Sequence, residues 1–375
     1  MPAVLDNLDE IRRIDKSDML SFCINAPRHY MEAAEKARKS ELDYPKPKMI
    51  IVAGMGASAM GGEFVRDWGR TVLTVPVEVC REYTLPAHAK DGAITFMVSY
   101  SGETEETLSC LLDAAKKGCK IFCISSDGTL LKIAEKMRVP ALQIPKGIPP
   151  RAALPYLLMP LMVFMEKLGL VPNIWDEILE AKSVLEQICI ENSPERRLEI
   201  NPSKKLAVKV NGTIPIIYGF GFYRSVAQRL KQQFNENSKI PAFWNAFPEL
   251  NHNEVVGWER AEGLAKYFSA LFIRDKDEPL EVRARIEATK QILNSKGVNV
   301  QEIWRLGKGR LSKMVSATLI GDFASVYLAI LRGVDPTPVE TISWIKGEVA
   351  KTGVKEEIIK KLESLADDFR IDFGQ

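Results

Sequence analysis

Phe96-Met97-Val98-Ser99-Tyr100-Ser101-Gly102-Glu103-Thr104-Glu105-Glu106-Thr107-Leu108 decides how this chain is read. Residues 94–98 are apolar but for Thr95, as in a strand buried on both faces. Ser99, Ser101, Gly102 and Thr104 break that run, and Leu108, Leu111, Leu112 and Ala115 then fall on one helical stripe. The stretch therefore reads as strand, hydroxyl-rich turn and helix N-terminus. A helix start carries unpaired N–H groups and the positive end of the helix dipole. Hydroxyls converging there suit a phosphate without any lysine. The plainer alternative is an N-cap, the ordinary task of Ser or Thr at that place. Glu103, Glu105 and Glu106 weigh against an anion, although acids are common in a first helical turn.

Outward from this stretch, strands alternate with helices. Met49-Ile50-Ile51-Val52-Ala53 is a first buried strand and runs into Gly54-Met55-Gly56-Ala57-Ser58-Ala59-Met60-Gly61-Gly62. A helix is expected from about residue 63 to 68, and further strands at 75–79, 120–125 and 141–144. This alternation predicts an α/β fold with a parallel sheet. Pro145-Lys146-Gly147-Ile148-Pro149-Pro150-Arg151 is a stiff turn ending in an arginine. An apolar helix with Leu154, Leu157, Leu158 and Leu161 follows. Upstream, residues 1–45 read as helical, with Leu5, Leu8, Ile11 and Ile14 on one face.

The second half repeats the pattern. A strand at 214–218 enters Gly219-Phe220-Gly221, then come a helix at 226–234 and a short strand at 241–244. A strand at 267–273, a helix at 280–293 and a strand at 298–304 complete it. This is an internal duplication of about 150 residues, seen in pattern rather than identity. The expected domains are a helical segment 1–45, a lobe 46–165, a connector 166–200, a second lobe 201–345 and a helical tail 346–375. An apolar helix is expected at 316–330, and two similar lobes would face each other across a cleft. The duplication is informative where it fails. The second lobe's counterpart of Ser-Tyr-Ser-Gly-Glu-Thr is Arg274-Asp275-Lys276-Asp277-Glu278-Pro279, without hydroxyls. A hydroxyl cluster in one lobe only implies a specialised task there.

Composition bounds the partners. The 375 residues are 46% hydrophobic and 27% charged, within the range of globular proteins. A net charge of +2 offers no electrostatic case for nucleic acid or an anionic membrane. Cys23, Cys80, Cys110, Cys119, Cys123 and Cys189 include no CxxC pair, and only His29, His88 and His252 are available beside them. The expectation is no metal site and buried, reduced thiols in a cytoplasmic protein. The first twenty residues lack a signal-peptide core. The longest apolar run, around 152–165, carries Pro155 and Pro160, so no membrane span is expected.

Other residues invite chemistry. Gly54-x-Gly56-x-x-Ala59 fits a dinucleotide fingerprint, with Glu78 as a candidate ribose acid, but it fits a phosphate-binding loop equally well. Strand order decides between them. Glu236, between Asn235 and Asn237, is an acid that hydrogen bonds can hold as a base. His252, in Asn251-His252-Asn253-Glu254, lies in a polar loop, where a lone histidine is commonly structural. Arg151 is rigidly placed by two prolines, among many surface arginines, and nothing local singles out Lys346.

Residues 54–62, Ser-Tyr-Ser-Gly-Glu-Thr at 99–104, Pro149-Pro150-Arg151-Ala152-Ala153 and Asn235-Glu236-Asn237 occur in this order. With Asn251-His252-Asn253-Glu254 and Asp335-Pro336-x-Pro338-Val339, the set resembles the bifunctional phosphoglucose/phosphomannose isomerases of the sugar-isomerase (SIS) superfamily. The resemblance covers about residues 45–350. It implies two flavodoxin-like, three-layer SIS lobes, a homodimer, hexose 6-phosphate substrates and no cofactor. It implies that Ser58, Ser99, Ser101 and Thr104 hold the phosphate with the backbone of Gly56 and Ala57. It further implies Glu236 as base, Arg151 beside the enediolate, and His252 from the partner subunit with Lys346 in ring opening. The family turn is usually richer in glycine than this chain, which has Ala57 and Ala59. Two rival readings are a non-catalytic sugar-phosphate sensor on the same scaffold and an NAD-dependent dehydrogenase built on the glycine turn.

Overall fold

The computed structural model describes residues 2–90 and 92–372. They form two compact units, one from residues 2–28 and 176–338, the other from 29–175 and 339–372.

The second of these units is built on a five-stranded parallel sheet. Its strands are β1 (Met49–Ala53), β2 (Val77–Cys80), β3 (Ala93–Val98), β4 (Lys120–Ser125) and β5 (Ala141–Gln143), in the order β2-β1-β3-β4-β5. Every residue of β3 is buried, which is why this strand reads as apolar, and its one polar side chain, Thr95, donates to the Lys120 carbonyl at 3.1 Å. Side chains alternate between two faces. Ile51, Ala53, Met97, Ile121 and Cys123 pack with Leu108, Leu111, Leu130, Ile133, Ile358 and Leu362 from helices Glu105–Lys116, Thr129–Lys136 and Val354–Asp372. On the opposite face, Phe96 and Phe122 meet Phe164 of helix Leu154–Lys167, with ring centroids 5.8 and 4.6 Å apart. Helix Ala57–Gly69 lies against the same helix. Sheet and helices make three layers.

Helix Ala57–Gly69 starts well before the expected residue 63, and this corrects the reading of the glycines as loop. Gly61 and Gly62 are helical, and their missing side chains let other groups approach. A Cβ on Gly61 would lie 2.2 Å from the Leu157 carbonyl oxygen, and one on Gly62 would lie 2.7 Å from the Val52 Cβ.

The first unit carries β6 (Ile214–Phe220), β7 (Phe243–Phe247), β8 (Phe268–Arg274) and β9 (Asn299–Trp304), all parallel, in the order β7-β6-β8-β9. The order repeats the first four positions of the other sheet, as the duplication requires. Its central helix is Arg310–Leu331, 22 residues with a mean hydropathy of 1.7 over its most apolar window. By length and composition it qualifies as a membrane span, contrary to the expectation that no run is long enough. That window is instead 89% buried inside the protein, and the helix packs against helices Met19–Ile24, Pro202–Val210 and Arg224–Glu236. The N-terminal 45 residues are thus shared out. Residues before 29 pack on this helix, while Glu32 and Ser40 bond Tyr156 and Lys167 in the other unit's own helix.

A Gly61→Ala substitution should therefore destabilise the protein by about 2 kcal/mol or more, because backbone must move to admit the methyl. In an exposed helix the same change would stabilise by about 1 kcal/mol. Urea denaturation of the variant distinguishes the two.

Candidate active site

In a sheet of order 2-1-3-4-5, the chain turns opposite ways after β1 and β3, so a crevice opens beyond their C-terminal ends. Helices Ala57–Gly69 and Glu105–Lys116 both start at this crevice, from opposite faces of the sheet. This is the flavodoxin-like order and not the 3-2-1-4 order of dinucleotide-binding sheets. Glu78, the candidate ribose acid, stands two residues before the end of β2 and is bonded to His88 at 2.6 Å.

The two turns at the crevice are joined. Ser58 is buried, and its Oγ accepts a hydrogen bond from the Tyr100 backbone N–H at 3.0 Å. Ser99 is buried as well. Its Oγ accepts from the Gly102 N–H at 3.1 Å and lies 2.8 Å from Thr104 Oγ1. The exposed Ser101 accepts from the Glu103 N–H at 3.2 Å. Thr104 is the N-cap residue of helix Glu105–Lys116, yet its side chain makes no capping bond. Its hydroxyl turns to Ser99 instead, so the plain N-cap reading does not describe it. Gly102 has φ +69°, and a Cβ there would lie 1.8 Å from the Asp127 carbonyl oxygen, so the turn needs glycine. Gly56, exposed and with φ +51°, precedes Ala57 and Ser58 at the other turn.

The acid in this turn is neutralised. Glu103 Oε1 accepts from the Thr129 N–H at 2.7 Å and its hydroxyl at 2.9 Å, and Oε2 accepts from Lys355. Burial raises the Glu103 pKa, but the bonds from Lys355 and Thr129 outweigh it and hold the carboxyl below its ordinary range. Its charge therefore opposes an incoming anion much less than the sequence suggests.

Tyr100 is a residue that sequence reading missed. Its hydroxyl donates to the Pro145 carbonyl at 3.0 Å and accepts from the Ile148 N–H at 2.7 Å. One side chain thus ties the hydroxyl turn to the proline-rich turn that ends at Arg151. Arg151 itself lies in the short 3-10 turn Pro150–Ala152 and is 2% exposed, so it is no surface arginine. The only signal of Tyr100 in sequence is an aromatic residue between two serines at a strand end. Lys355 carried no local signal at all.

The remaining candidates stand elsewhere. Lys346 is exposed on helix Glu340–Ala350, which buries none of its residues. Glu236 closes helix Arg224–Glu236 in the other unit. Its neighbours fix the backbone, since Asn235 donates to the Ile240 carbonyl at 2.9 Å and Asn237 to the Ser325 hydroxyl at 2.9 Å. His252 is exposed at the end of the short 3-10 helix Glu249–His252. Asn251 bonds Thr289 at 2.8 Å, and Glu254 accepts from Tyr218 and from Asn245 at 2.7 Å. The loop is pinned on both sides of the histidine. Among the described residues, no group of three or more His, Cys, Asp and Glu side chains is placed to hold a metal.

The second sheet's equivalent crevice is closed by its own charges. Asp275, just after β8, accepts from the Tyr223 hydroxyl at 2.6 Å and from Arg305, with Lys313 at 3.3 Å. Arg305 and Lys313 also reach Asp277. Here a carboxylate of the chain occupies the switch point where the first sheet offers hydroxyls.

A family model for the bacterial phospho-glucose isomerase C-terminal SIS domain matches residues 199–349. That range takes in Glu236, His252 and Lys346. A bifunctional phosphoglucose/phosphomannose isomerase from Caldicellulosiruptor bescii is 37% identical over 336 residues, covering 89% of this chain and 99% of its own. The chain belongs to the bifunctional phosphoglucose/phosphomannose isomerase family. A second member of the family, from Aquifex aeolicus, is 35% identical over 81% of this chain and 91% of its own. The C-terminal domain of glucosamine-fructose-6-phosphate aminotransferase from Francisella tularensis shares the fold. It has a TM-score of 0.61 and is 19% identical, covering 84% of this chain and 96% of its own. The SIS architecture expected from the motifs is therefore the one this family and this structure have in common.

Asp275 provides a test of the closed crevice. Burial raises its pKa, but bonds from Arg305 and Tyr223 more than offset this and hold it below the ordinary 3.8. A lowered carboxylate pKa contributes stability above the unfolded value, and that contribution is lost as pH falls through the folded value. Asp275→Asn should cost about 3 kcal/mol near neutral pH. The deficit should shrink as pH drops below about 4, as followed by urea denaturation across pH.

Proposed function

We propose that this chain is an aldose–ketose isomerase that interconverts glucose 6-phosphate and mannose 6-phosphate with fructose 6-phosphate. The observation that carries the reading is 37% identity to a bifunctional isomerase across 99% of that relative's length. The hydroxyl crevice supplies the chemistry such a substrate needs. In this reading Ser58, Ser99, Ser101 and Thr104 bind the phosphate, with backbone N–H groups following Gly56 and Ala57. Binding energy from the non-reacting phosphate positions C1 and C2. A ring-opening pair, His252 and Lys346, moves protons between the ring oxygen and the C1 hydroxyl. Glu236 takes the proton from C2 and returns it at C1 through an enediol. Arg151 offsets charge developing on the enediolate oxygens. No redox change occurs, so the chemistry calls for no nicotinamide.

The working form in this reading is a cytoplasmic homodimer in which His252 enters the partner's site. The exposure of His252 on a pinned loop supports that part. Binding of both epimers requires a pocket that permits rotation about C2–C3. The sensor reading has less in its favour, because a sensor would have no use for Glu236 between its two asparagines.

An activity assay in EDTA tests the proposal. Wild-type protein should convert both aldose phosphates to fructose 6-phosphate. Ser101→Ala combined with Thr104→Ala should weaken substrate binding by roughly 10²- to 10⁴-fold, since each bond to a charged group is worth about 1.5–3 kcal/mol. No conversion by wild-type protein with or without EDTA would overturn the function, and loss of both activities only in EDTA would refute the metal-free mechanism. Unchanged affinity in the double variant would overturn the phosphate site.

A further inference from the structure

We propose that Cys80 and Cys110 form a dithiol–disulfide pair that peroxide closes and thiols reopen. The two sulfurs lie 3.9 Å apart. A disulfide needs about 2.05 Å, so the sulfurs must approach by about 2 Å, within reach of side-chain rotation. Cys80 ends β2, and the segment after it is held against the helix Glu105–Lys116 that carries Cys110. Asp113 of that helix accepts from the Leu85 N–H at 2.8 Å, and Lys117 donates to the Leu85 carbonyl at 2.9 Å. With both thiols protonated, each sulfur also has a carbonyl oxygen within reach, Glu82 at 3.1 Å from Cys110 and Thr84 at 3.3 Å from Cys80; once Cys80 is a thiolate, the single Cys110 proton turns to it.

The two thiols are unequal. A hydrogen bond from Cys110 lowers the Cys80 pKa, outweighing burial, while the same contact and burial push Cys110 up. Cys80 is therefore the attacking thiolate, and it retains 7% exposure against 1% for Cys110. Its sulfur attacks one peroxide oxygen, the O–O bond breaks, and hydroxide leaves, giving a sulfenic acid at Cys80. The Cys110 sulfur then attacks the sulfenic sulfur. The S–S bond forms, the S–O bond breaks, and the Cys110 proton leaves with the hydroxyl as water. In total two thiols and one hydrogen peroxide yield one disulfide and two waters. The link is placed behind the crevice. The Cys80 carbonyl accepts from the Gly54 N–H at 3.1 Å, at the start of one turn, and Cys110 is one turn into the helix that begins at the other.

The test is stoichiometric hydrogen peroxide on the reduced wild-type protein, followed by alkylation and peptide mapping. The expected product is a peptide pair cross-linked through Cys80 and Cys110, with two thiols lost and regained in dithiothreitol. Because the segment after Cys80 is already held against that helix, Tm should rise by roughly 5 °C on oxidation. In Cys110→Ser the sulfenic acid at Cys80 should persist and react with dimedone. Free, alkylated Cys80 and Cys110 in the peroxide-treated wild-type protein would overturn the proposal. A cross-link to any other cysteine, or a lower Tm on oxidation, would do the same.

Discussion

The hydrogen bond from the Tyr100 N–H to Ser58 Oγ joins the two turns on which the candidate site depends. It spans the point where a parallel sheet of order 2-1-3-4-5 parts, with one turn after β1 and the other after β3. Neither turn carries a site alone. One supplies a buried hydroxyl at a helix start, and the other supplies Ser99, Ser101 and Thr104. The Tyr100 side chain extends the same arrangement to the turn that ends at Arg151. Backbone and side chain of one tyrosine thus hold three segments at one crevice.

The two sheets share an order and differ in what they place at the switch point. Helix starts need a partner for their N–H groups, and a parallel sheet puts two of them together. In the second sheet the chain supplies its own anion, Asp275, and surrounds it with Tyr223, Arg305 and Lys313. In the first sheet it supplies neutral hydroxyls, and the nearby Glu103 is engaged by Lys355 and Thr129. That contrast supports an external anion at the first switch point, and it follows from comparing two copies of one fold.

Much of this was legible in the sequence because it is local. The buried strand β3, the hydroxyl turn and the repeated strand–glycine–helix pattern all declare themselves within a few residues. Legibility failed where a residue's role is set by a distant neighbour. Gly61 and Gly62 look like loop glycines, and only the Leu157 backbone and Val52 show why a helix carries them. Helix Arg310–Leu331 was expected to start near 316, because Arg310 and Lys313 interrupt the apolar stripe and Lys313 is spent on Asp277. Strand β7 runs to Phe247 rather than stopping at 244, with Asn245 on it bonded to Glu254. Arg151 reads as one arginine among many until its burial is seen. Motif order identified the family where local physics could not assign roles to Glu236, His252 and Lys346.

The proposed chemistry rests on one proton transfer, and solvent exchange measures it most directly. Isomerisation of fructose 6-phosphate in deuterated water should place deuterium at C2 of the aldose product, because an enediol exchanges the transferred proton. In Glu236→Gln, incorporation should fall by about 10²-fold or more while fructose 6-phosphate still binds. Deuterium incorporation by that variant at the wild-type rate would contradict the assignment of Glu236 as the base.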